Sequence, residues 1–231
     1  MNLYDDIILE IESLIQDAQI LKVQPSKIPE TLNNMIFQSD TAFDLGDGNM
    51  PSISLTLPSS TIQIEDSIRL IGKDLCQIQS NVPLARISIV QIQESEKKAD
   101  ALYNMIKRLD FTKYHVSPEG YMMRISSMLN KEPARVSKKA IQKKISFTDI
   151  GYHFIQGFHK HKEVLAVKQI FITDPDFNYS RFEELSKLTR ERTNLIDHML
   201  KDLNMDCQSC HLKPICDEVE GMKEIHANNV Q

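Results

Sequence analysis

The chain has 231 residues, a net charge of -5 and a sequence pI of 5.8. Apolar residues make up 41% and charged residues 26%, close to folded globular averages, which excludes wholesale disorder and a fibrous repeat. The acidic balance sets duplex-DNA binding aside, since such domains carry a basic face, and no apolar run approaches the length of a membrane span. The start, MNLYDDIILEIE, is acidic where a secretory leader is basic, so a cytoplasmic protein without a leader is expected.

Leu3, Ile7, Ile11, Leu14, Ala18 and Leu21 recur at steps of three and four and predict an amphipathic helix over 3–22, stopped by Pro25 and Pro29. Gly46-Asp47-Gly48 is turn chemistry, not a dinucleotide fingerprint, because the third glycine is missing and no helix follows directly. Ile53, Leu55 and Leu57 alternate with Ser and Thr and predict a strand. SIRLI (67–71) and ARISIVQI (85–92) alternate likewise and predict strands with one buried face. A helix is expected over 95–109, a turn at 118–120, a strand over 121–126, and helices over 134–144 and 147–160. The apolar run 164–173 reads as a central strand, and a last long helix is expected over 179–203, its charged face solvated. Strands and helices mix without regular βαβ alternation, so the expected class is α+β, a mixed or antiparallel sheet packed with several helices. The expected organisation is a helix and linker over 1–38, an α+β domain over 39–204 and a cysteine-bearing tail over 205–231.

Four cysteines are too few for a disulfide scaffold, and three of them fall close together in the tail. Cys207, Cys210 and Cys216 form C-x2-C-x5-C, with Lys213 and Pro214 inside the loop. Two residues between thiolates let both sulfurs face one ion, and a third can close around it. Soft thiolates select zinc, Cu(I) or iron–sulfur. His211, His226, Asp217 or Cys76 could complete a set of four, although a single buried thiol is the expectation for Cys76.

Residues 131–144 carry Lys131, Arg135, Lys138, Lys139, Lys143 and Lys144 against Glu132 alone. A helix bearing them, joined by Arg124, suits the phosphates of coenzyme A or another nucleotide; a solvated basic face is the alternative. Stacking aromatics do not alternate with these charges, which argues against single-stranded nucleic acid. The spacing of His153, His159 and His161 does not suit chelation, and surface histidines are expected. The methionines, mostly at apolar positions, are expected to fill the core.

A strand ending Ile172-Thr-Asp-Pro175, a charged helix with Arg190-Glu-Arg192 and the C-x2-C start follow one another in an order that resembles acetyl-CoA synthase, the beta subunit of the carbon monoxide dehydrogenase/acetyl-CoA synthase complex. Phe43-Asp-Leu-Gly46, the strand at 68–72, Arg124-Ile-Ser126 and the stretch 140–151 are similar to that family in the same order, so the resemblance spans roughly residues 40–216 and covers its middle domain plus a truncated cluster motif. The resemblance implies a [4Fe–4S] cluster on Cys207, Cys210 and Cys216, bridged in that family to nickel at a centre that joins a methyl group, carbon monoxide and coenzyme A. It implies other subunits of that complex, or a corrinoid protein, as partners in anaerobic one-carbon metabolism. The spacer before Cys216 is shorter than the family's, Met122 stands where the family has tryptophan, and the nickel-binding Cys-Gly-Cys motif is absent, so an accessory or partial subunit is implied. Away from the resemblance, the residues also allow a non-enzymatic, partner-binding α+β module with a structural zinc in its tail and His211 or His226 as fourth ligand. Redox chemistry of unmetallated thiols is a third option. The apolar stripes of the end helices fit a homodimer or core packing alike.

Overall fold

The computed structural model describes residues 2–31, 34–94, 99–125 and 131–200. In chain order its regular elements are α1 (Asp5–Leu14), β1 (Gln19–Leu21), β2 (Thr41–Leu45), β3 (Ser52–Ser59), β4 (Ser67–Ile71), β5 (Leu84–Ile92), α2 (Ala99–Thr112), β6 (Tyr121–Met123), β7 (Ala134–Ser137), α3 (Lys138–Gln142), α4 (Phe147–His159), β8 (Val164–Ile172) and α5 (Tyr179–Leu200). The class is α+β, as expected.

Five strands form a mixed sheet in the order β1-β4-β8-β5-β3, and β2-β7-β6 form an antiparallel sheet beside it. In the large sheet β4 runs parallel to β8, β8 antiparallel to β5 and β5 parallel to β3. The expectation of a central position for 164–173 holds: β8 is the middle strand. Ile53, Leu55 and Leu57 of β3, Ala85, Ile87 and Ile89 of β5 and Ile170 and Ile172 of β8 bury one face against Ile7, Ile8 and Ile11 of α1 and Phe182 and Leu185 of α5. The other face packs on α4, through Phe147, Ile150 and Phe154, and on the small sheet, through Phe43, Leu45 and Val136. Helix α2 joins both layers: Met105 and Leu109 enter one core and Ile106 the other. Burying a side chain such as Phe154 or Leu185 in these cores contributes about 1.5–3 kcal/mol against leaving it in water.

Ser146 starts α4 with a capping box: its hydroxyl accepts from the Asp149 amide at 3.2 Å, and the Asp149 carboxylate accepts from the Ser146 amide at 3.1 Å. Asp149 also accepts from the Ser26 hydroxyl at 3.0 Å and the Lys27 amide at 3.1 Å, which fixes the segment entering the small sheet. Burial works to raise the Asp149 carboxyl pKa, but these donors outweigh it and hold it below the usual range. Asp6 of α1 is likewise held low, by the Arg192 guanidinium hydrogen-bonded to it at 2.5 Å.

Several expectations are corrected. The helix predicted over 3–22 stops at Leu14, and Gln19–Leu21 pair antiparallel with β4, because Ile20 and Leu21 suit a pleated edge as well as a helical stripe. The helix predicted over 134–144 begins only at Lys138: Ala134 and Val136 alternate on a buried face, and Ala134–Ser137 form the centre of the small sheet. Strand β5 is buried on both faces, so the one-sided burial expected for it fails, whereas β4 keeps the expected alternation. The expected helix over 95–109 is described from Ala99 and runs on to Thr112. His153 is buried instead of exposed, with Nε2 2.7 Å from the Ile28 carbonyl. Arg192, expected on a solvated helix face, is buried against the Leu3 carbonyl and Asp6. Cys76 is exposed, not buried. Met105 fills the core as expected, but Met35 is exposed. No described helix is long and apolar enough to cross a membrane.

Candidate anion-binding site

Strand β7 leads directly into α3 through Ser137, whose hydroxyl accepts from the Ala140 amide at 3.0 Å and caps the helix. The cap sets Lys138 and Lys139 in the first turn and Lys143 just beyond the last. Opposite lies the turn before β6. Gly120 has φ +84°, and a Cβ there would come within 2.5 Å of the Ala140 Cβ, so only glycine lets the turn sit this close to α3. Asn34 stitches a third wall to the turn: its side-chain oxygen accepts from the Gly120 amide at 3.0 Å, and its amide nitrogen donates to the Pro118 carbonyl at 2.8 Å and the Tyr121 carbonyl at 2.5 Å.

The result is an open groove of about 600 Å³ lined by Asn34, Met35, Glu119, Lys138, Lys139 and Lys143 among others. Met35 supplies an apolar lip, 68% exposed. Lys138 donates to the Ser39 carbonyl at 2.8 Å. Lys143 and Lys139 pair with Glu119 at 2.9 Å and 3.2 Å, and the Lys143 hydrogen bond, then that of Lys139, holds the Glu119 carboxyl below its usual range. The groove is therefore a basic wall of three lysines that also holds two carboxylates, Glu119, paired with two of the lysines, and Asp40. Chemically it can hold a phosphate or carboxylate by ammonium groups that trade Glu119 for the ligand, with Met35 against an apolar part.

The structure thus brings together Lys138, Lys139 and Lys143 of the residues expected to bind a cofactor. It holds Arg135 and Arg124 elsewhere. Asp44 and Arg135 are register partners across β2 and β7, and the guanidinium pairs with Asp44 at 2.9 Å while also donating to Gln38 at 2.8 Å. Arg124 meets Asp47 at 3.2 Å and Asp44 at 3.6 Å. Both arginines tie the small sheet together. The expected metal ligands Cys207, Cys210, Cys216 and His211 lie outside the described residues. Among the described residues no group of three or more His, Cys, Asp or Glu side chains could hold a metal ion.

Composition and spacing missed a second polar centre. Arg86 of β5 is 1% exposed. It donates to the Ser54 hydroxyl at 2.8 Å, lies 5.0 Å from the Phe154 ring centroid and meets Glu132 at 3.4 Å. Glu132 also receives Lys113 at 3.0 Å and the Tyr114 hydroxyl at 2.6 Å, and Lys113 meets Asp110 at 2.9 Å. Burial pushes the Glu132 carboxyl up, but Lys113, Arg86 and the Tyr114 hydroxyl outweigh it and keep it below the usual range. Burial and the Glu132 hydrogen bond drive the Tyr114 hydroxyl strongly upward. The one sequence signal for this centre is that Glu132 is the sole carboxylate in the basic stretch 131–144.

Compared with family models and with curated proteins, the chain matches none.

Proposed function

We propose that this chain is an iron–sulfur protein with an anion-binding α+β body, related to acetyl-CoA synthase and acting in the cytoplasm as an accessory or partial subunit of anaerobic acetyl-CoA metabolism. The observation that carries the reading is the C-x2-C-x5-C spacing of Cys207, Cys210 and Cys216, a compact thiolate set that follows α5, the last of the described helices, in sequence. The basic groove over α3 supports an anionic partner molecule, with coenzyme A the ligand that the resemblance implies. Its phosphates would take Lys138, Lys139 and Lys143, and Met35 would meet an apolar part. A cluster would leave one iron open to a small ligand, to nickel or to a residue of a corrinoid or dehydrogenase partner.

The test is purification without oxygen, with iron, sulfide, zinc and nickel counted per chain and the visible spectrum recorded. Iron with matching sulfide and broad thiolate-to-iron absorption supports the reading, and its loss in Cys210→Ser assigns the ligand set. Stoichiometric zinc in a colourless protein overturns it in favour of a zinc staple on the three cysteines and His211.

A further inference from the structure

A second cleft, of about 230 Å³, opens at the β3 edge of the large sheet, between α2 and α5. Its walls include Ser54 and Thr56 of β3, Lys107, Asp110 and Lys113 from α2 and the turn after it, and Arg190 and Asn194 of α5, with Glu132 at its base. The charges in the cleft and directly beneath it, where Arg86 lies buried, divide into two groups. Arg86 and Lys113 are matched by Glu132 and Asp110, so the buried cluster is electrically balanced. Lys107 and Arg190 line the same cleft, are exposed on separate helices, and make no ion pair among the described residues. Among the described residues, therefore, the cleft carries two cations that no carboxylate pairs. The α3 groove differs, since Glu119 already pairs with two of its three lysines, Lys139 and Lys143.

Neutral donors accompany the cations. The Ser54 hydroxyl oxygen already accepts from Arg86 at 2.8 Å, which leaves its own O–H to donate. The Thr56 hydroxyl and the Asn194 amide line the same space. The balanced cluster beneath is held by Tyr114 and Ser54 and is spared from reorganising when a ligand enters. The volume is below the roughly 300–1,000 Å³ of drug-sized sites. At about 30 Å³ per water it suits a molecule of roughly seven or eight non-hydrogen atoms.

We propose that this cleft is a binding site for a small doubly charged oxyanion, a dicarboxylate or phosphate metabolite, held between Lys107 and Arg190 and oriented by Ser54, Thr56 and Asn194. The site shares no lining residue with the α3 groove, and the proposal does not depend on which metal the cysteines hold.

The experiment is calorimetric titration of the full chain with succinate and with inorganic phosphate, at low ionic strength. Saturable binding of at least one probe is expected, and which probe binds names the ligand chemistry. Arg190→Gln and Lys107→Gln should each weaken it about tenfold, the loss of one charge-assisted contact, with the thermal midpoint unchanged because both side chains are exposed. Lys162→Gln, at an exposed lysine that lines neither pocket, should leave it unaltered. The proposal is overturned if neither probe saturates by about 10 mM, where a 1 mM site would be mostly filled, if both cleft variants bind as the parent does, or if Lys162→Gln abolishes binding.

Discussion

Glu132→Ala tests the buried charge cluster most directly. The carboxylate lies 3.0 Å from the Lys113 ammonium and 3.4 Å from the Arg86 guanidinium. At an effective dielectric near 20 each contact is worth about 5 kcal/mol of gross attraction. Most of that is offset by the desolvation of the three groups. Truncation is asymmetric, because it removes the anion and leaves both cations inside: Arg86 and Lys113 have side chains only 2% and 6% exposed. Lys113 keeps Asp110, but among the described residues Arg86 keeps only neutral partners, Ser54, Tyr121 and the Phe154 face. The expected loss is about 3 kcal/mol, at the lower end of the range for breaking a buried pair and a large share of a domain's ~5–15 kcal/mol. Urea unfolding should show a lower midpoint at an unchanged slope. The pH dependence supplies the sign. Because the folded carboxyl is held low, its stabilisation is complete above the unfolded value of about 4.3 and is lost as pH falls through the folded value. The gap between parent and variant should be full at neutral pH and close in acid. A loss below about 1 kcal/mol at neutral pH, the worth of an exposed pair, would refute the reasoning. So would a gap that ignores pH.

Two further outcomes follow from local geometry. Ser146→Ala removes both the cap of α4 and a donor to Asp149 at 2.6 Å, and should destabilise the protein by about 1 kcal/mol, read as a lower thermal midpoint. Glu119→Gln frees Lys139 and Lys143 from their internal counter-charge, so coenzyme A should bind several-fold more tightly to this variant than to the parent in a calorimetric titration; weaker binding would show that Glu119 positions the lysines instead of competing for them.

Where the pleat or helical period coincides with burial, the sequence was legible. The 67–71 alternation matches β4, and the aromatic stripe Phe147, Phe154 and Phe158 matches α4. It misled where one pattern serves two geometries, as at Ile20 and Leu21, or where a charge run hides a strand, as at Ala134–Ser137. Of the basic stretch, charge alone could not say which cations remain available. Arg135 is taken by Asp44, 91 positions away in sequence, a partnership fixed only by the register of β2 on β7. The alternation around Arg86 predicts a half-exposed strand, because alternation gives the period of a strand but not what covers its second face. Here that cover is Tyr121, Glu132 and Phe154, brought in from three separate segments.

The strand order bears on how the chain is made. Strands β3, β4 and β5 leave the ribosome early, yet β8, which separates β4 from β5, spans only Val164–Ile172. Helix α1 waits longer still: Arg192 and Thr193 of α5, which bind Asp6 and Tyr4, come 186 and 189 positions later. At about 5–20 residues per second, synthesis holds β4 and β5 as open, apolar edges for several seconds. A nascent chain arrested before residue 164 lacks the strand that joins β4 to β5, so the large sheet closes only once Val164–Ile172 have emerged.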